Sequence, residues 1–146
     1  VSIRDLPTIL EGISEAISTT RSLMMITEHV RTRLARQLSN ANANEFGVIP
    51  LVTLSPEWEH AFAESIIGEG DERQLAMAPT ALQGFITKVR NVLEDLAVKG
   101  ETAVLLTSPA IRPFVRSIIE RFRPLTVVMS QNEIHPKAKI KTVGQI

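Results

Sequence analysis

The stretch Ala103-Val104-Leu105-Leu106-Thr107-Ser108-Pro109-Ala110-Ile111-Arg112-Pro113 carries the fold in miniature. Its first five residues are a short, mostly apolar run, the pattern of a strand buried on both faces. Ser108-Pro109 then changes the period, since serine caps helices and proline is tolerated in a helix's first turn. Ile111, Phe114, Val115, Ile118 and Phe122 follow at helical spacing, and Pro124 blocks further extension. Leu125 to Ser130 reads as the next strand. Strand, helix and strand so closely joined predict a right-handed crossover with parallel strands.

Working outward, the same module occurs once more upstream. Val48-Ile49-Pro50-Leu51-Val52-Thr53-Leu54 reads as a buried strand that Pro50 weakens or marks as an edge. Ser55-Pro56 starts a helix with Trp58, Ala61, Phe62 and Ile66 on one face. Gly68 to Asp71 makes a loop, and Pro79 opens a long helix burying Leu82, Phe85, Ile86, Val89, Leu93 and Leu96. Gly100 sits where a C-terminal cap is wanted. Ile140 to Ile146 is the last strand.

Before these modules the period is helical throughout. Ser2 caps a first helix with Asp5 in capping-box spacing, and Pro7 falls in the first turn. Leu6, Ile9, Leu10, Ile13 and Ile17 make one apolar stripe. A second helix runs from Ser22 to Asn40, with Leu23, Ile26, Val30, Leu34 and Leu38 inward and His29, Thr32 and Arg36 outward. The polar run Ser39 to Asn44 suits a linker. The expected fold class is therefore α/β (α+β overall). A helical subdomain, residues 1–46, precedes a small α/β subdomain, residues 47–146, with a mostly parallel sheet.

Composition excludes several classes of function. Hydrophobic residues at 44% and charged residues at 22% match folded globular chains rather than disordered ones. Without cysteine there are no disulfides, thiolate zinc sites or thiol catalysis. No uncharged run approaches the roughly 20 apolar residues of a membrane span, and no signal peptide is read at the start. Net charge is zero, with −5 over residues 1–73 and +5 over residues 74–146. Two ordinary solvated surfaces explain that asymmetry more simply than head-to-tail steering. A neutral chain without tyrosine is not the profile of a nucleic-acid binder.

Candidate chemistry is sparse. The glycines build no phosphate cradle. Ser108 lacks the flanking glycines of a nucleophile elbow and reads as a helix cap. His60 and Glu64, four apart, read as an exposed pair rather than half a metal site. Arg31, Arg33 and Arg36, and later Arg112, Arg116, Arg121 and Arg123, form basic clusters, with binding of an anionic partner as the less favoured alternative. Lys137, Lys139 and Lys141 alternate as on the solvent face of an edge strand. A small α/β enzyme or nucleotide-binding domain stays open as an alternative, and requires a pocket near Ser55, Ser108 and Ser130 at the carboxyl ends of the strands.

Three stretches resemble a known family. Val1-Ser2-Ile3-Arg4-Asp5-Leu6-Pro7-Thr8-Ile9-Leu10-Glu11 is similar to a signature of the FHIPEP family, the export-gate proteins of type III secretion. Thr27 to Gln37 resembles that family's next helix. The opening stretch from Ala103 to Pro113, with Val127 to Ile134, resembles its closing α/β subdomain. Asn132-Glu133-Ile134 leans towards the flagellar branch over the virulence branch.

The resemblance implies a non-enzymatic role without cofactor or metal. It implies the third and fourth cytoplasmic subdomains of a protein anchored by an N-terminal membrane region, on the cytoplasmic face of the bacterial inner membrane. Such regions form a nine-membered homo-oligomeric ring that receives export substrates, chaperones and other export-apparatus proteins. The family's chaperone groove belongs mainly to earlier subdomains, so no docking residue is carried over. Arg4, Asp5, Arg31 and Arg33, at or beside the motif helices, are the expected subunit contacts.

Overall fold

A computed structural model describes residues 3–17, 23–68 and 73–146. A 3₁₀ turn at Ile3–Asp5 leads into α1 (Leu6–Ile17). Then follow α2 (Leu23–Arg33), α3 (Ala35–Asn42), β1 (Val48–Thr53), α4 (Pro56–Ser65), β2 (Ile66–Ile67) and β3 (Gln74–Leu75). The chain continues with α5 (Pro79–Val98), β4 (Val104–Thr107), α6 (Arg112–Ile119), β5 (Val128–Ser130) and β6 (Lys139–Gln145).

The main sheet has the order β5-β4-β1-β6, and every neighbouring pair is parallel. β4, α6 and β5 form the expected crossover. Both faces are covered, as parallel sheets require. On one face Val52, Leu105 and Val128 pack with Phe62, Phe85, Val89 and Ile119 from the helices. Phe85 makes edge-on contacts with Phe62 at 4.8 Å and Trp58 at 5.2 Å between ring centres. On the other face Ile49, Leu51, Val104 and Met129 meet Leu38 of α3, Ile134 and Ala138.

Several expectations change. β1 is central, not an edge, even though it contains Pro50. The β4 ladder begins only at Leu51, so the missing N–H of Pro50 falls short of it. β6 is the edge, with Lys139 and Lys141 exposed, but Ile140 between them is exposed too, so the strand shows no alternation there. Its pairing to β1 slips by one residue after Leu51. Leu125 is 95% exposed and the third strand begins only at Val128. The hairpin of β2 and β3 has no counterpart in the sequence reading, its strands being too short to show a period.

The helical part departs further. Helix two breaks at Leu34, where the backbone turns and α3 begins. Ser39 belongs to α3, not to a linker: it is buried, donates to the Glu133 carbonyl at 3.0 Å and accepts from the His135 N–H at 2.9 Å. Along α1 the buried residues are Gly12 and Ala16, while Leu6, Leu10 and Ile17 are exposed. A Cβ at Gly12 would lie 3.2 Å from Val30 Cγ2, so the lack of a side chain there lets α1 and α2 approach closely. The proposed Ser2 cap, the start at Ser22 and most of the Gly68–Asp71 loop lie outside the described residues.

Candidate functional site

Where α2, α6 and the turn after β5 meet, four charged side chains interlock. β5 ends at Ser130, and a 3₁₀ turn, Gln131–Glu133, folds the Glu133 carboxylate back so that Oε1 accepts the Ser130 N–H at 2.9 Å. Glu133 is 1% exposed. Its Oε2 accepts from Nε of Arg31, and its Oε1 accepts from the other arm of that guanidinium at 3.2 Å. Arg112 opens α6 and is also buried. Its Nε donates to the Val128 carbonyl at 3.0 Å and lies 3.3 Å from Glu133 Oε1, while its NH1 reaches Glu28 Oε2 at 2.9 Å.

Two cations and two carboxylates thus neutralise one another, and each buried charge has a partner. Burial is the main influence on the proton affinities of Glu28 and Arg112. It raises the Glu28 carboxyl above its ordinary value, with Arg112 pulling the other way and Glu133 adding to the rise. It lowers the Arg112 guanidinium, against the pull of Glu28. The cluster is a clamp: through Glu28 and Arg31 it fixes α2 to α6 and to the turn after β5.

Around the clamp the other singled-out residues fall into place. Arg33 lies 3.5 Å from Glu11 and 3.5 Å from Glu15, and His29 lies 2.9 Å from Glu15, lacing α1 to α2. The hydrogen bond from His29 is the main cause holding the Glu15 carboxyl below its ordinary value. Arg4 is exposed and Asp5 half-buried in the opening turn. Arg31, expected at a subunit contact, has its charge engaged inside the chain. The later basic cluster divides: Arg112 is in the clamp and Arg123 Nε reaches Thr126 Oγ1 at 3.2 Å, while Arg121 stays exposed. His60 and Glu64 form the exposed pair expected, at 3.0 Å.

Ser108 does not cap α6. Three further residues turn before the helix begins at Arg112, with Pro113 in its first turn, and the Ser108 N–H instead donates to Glu59 Oε1 at 3.0 Å. A cleft opens at the amino ends of the strands, opposite to the end that a nucleotide site requires, beside Pro50, Val104 and Val127. Among the described residues no three His, Cys, Asp or Glu side chains cluster as metal ligands.

Glu28, Arg112 and Glu133 were not singled out for this role by the sequence. Their partners lie 84 and 102 positions apart, beyond any local spacing. The one local signal was Ser130-x-x-Glu133, a capping-box spacing directly after a strand.

The model of the FHIPEP family matches residues 1–139. The chain belongs to this family. A flagellar biosynthesis protein FlhA from Caulobacter vibrioides is 60% identical over 146 residues, all of this chain and 21% of that protein. The chain therefore spans about a fifth of that relative's length. Among solved structures, the Chlamydia pneumoniae CdsV protein superposes with a TM-score of 0.89 at 32% identity, over 99% of this chain and 41% of that one. A nonameric SctV-C from EPEC gives 0.87 at 25% identity, over 100% and 44%. None of the described helices is long and apolar enough to cross a membrane.

Proposed function

We propose that this chain is the C-terminal cytoplasmic part of a flagellar type III export gate, at the cytoplasmic face of the bacterial inner membrane. Its work is assembly and docking, without catalysis or a cofactor. The observation that carries the reading is the 60% identity to a flagellar FlhA across the whole chain, against 32% and 25% for CdsV and SctV-C. The nonameric state of SctV-C supports a ring for the full protein here as well. Residues 1–46 act as the unit that meets neighbouring subunits, and residues 47–146 as the α/β unit that offers surface to export substrates, chaperones and other export-apparatus proteins.

In this reading Arg4, Asp5 and Arg33 form subunit contacts directly, beside the exposed Leu6 and Leu10 of α1. Arg31 joins them at the same edge while its guanidinium holds the α2 angle through Glu133. Charge reversal at Arg4 and Arg33 in the full-length protein tests the assignment. Ring assembly, followed by sedimentation and electron microscopy, should fall at temperatures well below the melting point of the 146-residue variant, which loses the Arg33 pairs with Glu11 and Glu15. Unchanged rings would sink it.

A further inference from the structure

At the amino ends of β1 and β4 lies a cleft of about 640 Å³, and both of its lips are exposed hydrophobic residues. Phe46 is 77% exposed and Leu125 is 95% exposed. Neither sits on a loose loop. Asn44 Oδ1 accepts the N–H of Phe46 at 2.9 Å and of Val48 at 3.1 Å, fixing the backbone that displays the ring. The Thr126 N–H reaches the Arg123 carbonyl at 3.1 Å, and Arg123 Nε holds the Thr126 hydroxyl, fixing the turn that displays Leu125. An aromatic ring shown to solvent on a pinned backbone loses little entropy on binding, as interface anchors require.

Glu101 lines the same cleft. Glu101 Oε2 is buried and has no hydrogen-bond partner. Its backbone is locked by the cap of α5, with Glu101 N–H on the Leu96 carbonyl at 2.9 Å and Gly100 N–H on that of Ala97 at 3.0 Å. Just past a helix C-terminus an anion is repelled by the helix dipole and a cation is favoured. Glu45 adds a second carboxylate to the lining, whereas Arg123 is turned onto Thr126. A buried oxygen that accepts nothing costs stability, and a cationic donor supplied from outside would remove that cost.

We infer that this cleft docks a segment of a partner protein in which a lysine or arginine is flanked by apolar residues. The cation meets Glu101, and the apolar neighbours lie on Phe46 and Leu125. Ring assembly plays no part in the argument, so the docking site stands or falls separately from the subunit contacts.

The probe is an end-blocked pentapeptide of alternating leucine and lysine, with glutamine in place of lysine as control, titrated into the 146-residue chain by NMR. Amide shifts should be confined to the loops of Phe46 and Leu125 and to residues 100–103. Affinity should drop about tenfold for the glutamine peptide and for Glu101→Gln. Glu101→Gln should melt no lower than the parent chain, because it removes an unpartnered charge. Equal binding of both peptides, unchanged affinity of Glu101→Gln, or shifts on another face would overturn the inference. Concentration-dependent broadening of Phe46 and Leu125 signals without peptide would make the occupant a second copy, and overturn it too.

Discussion

Phe85 is fully buried between Trp58 and Phe62, while α2 contains no buried residue at all. The sheet and its covering helices cohere by apolar burial on two faces. The two leading helices touch each other through Gly12 and Val30, and α2 reaches the sheet region through ion pairs. Each part is therefore vulnerable in its own way. Apolar packing tolerates salt and pH but not lost volume, whereas a clamp of four charges tolerates surface change but not the loss of one member.

The sharpest way to break the contrast is Phe85→Ala. It should cost about 3–5 kcal/mol in urea denaturation and melt both regions together. Glu133→Gln should cost about 3 kcal/mol, because it leaves two guanidinium groups without their shared carboxylate. Its mark should be regional, with hydrogen exchange in α2 accelerating more than in α5. Equal acceleration would show that the leading helices do not depend on the clamp. Gly100→Ala should cost about 1 kcal/mol. There φ is +79° and a Cβ meets nothing within 4 Å, so the penalty is backbone strain alone.

Glu28 sharpens the comparison through pH. Its folded-state carboxyl titrates above the ordinary value of 4.5, so the folded chain holds that proton more tightly than the unfolded chain. Its contribution is therefore fully present below that ordinary value and is lost as pH rises towards the raised one. The stability margin of the parent chain over Glu28→Gln should narrow across that window; a widening margin in thermal melts would contradict the burial argument. The smallest effect belongs to Leu10→Gln, which should shift monomer stability by less than about 0.5 kcal/mol, since the residue is 56% exposed. The same variant should impair ring assembly if α1 meets a neighbouring subunit.

Legibility in the sequence followed the same divide. From Val48 onward the main-sheet strands and their covering helices were readable, unlike the β2–β3 hairpin, because burial on two faces writes continuous apolar runs and one-sided helices write a 3.6 period. Gly100 was readable because only a cap needs it there. The α1 stripe misled because apolar residues cover a wider arc than the contact does. Ile9 and Ile13 are half-buried, but the centre of contact is Gly12 and Ala16, which hydrophobicity scales undervalue. The break at Leu34 carries no glycine or proline to announce it. The clamp was illegible because nothing local to Glu28 or Arg112 shows that a fold will bring them together.

The placing of β1 also sets an order of events in time. It is flanked by β4, roughly 50 positions later, and by β6, roughly 90 positions later. Loop closure over such spans slows folding, and during synthesis the apolar run Val48 to Leu54 waits with both sides open. In that interval Pro50 has a second use. It denies any stray strand one ladder hydrogen bond, at a position where the finished sheet forgoes none on the β4 side. The native register leaves room for that proline even though β1 is a central strand.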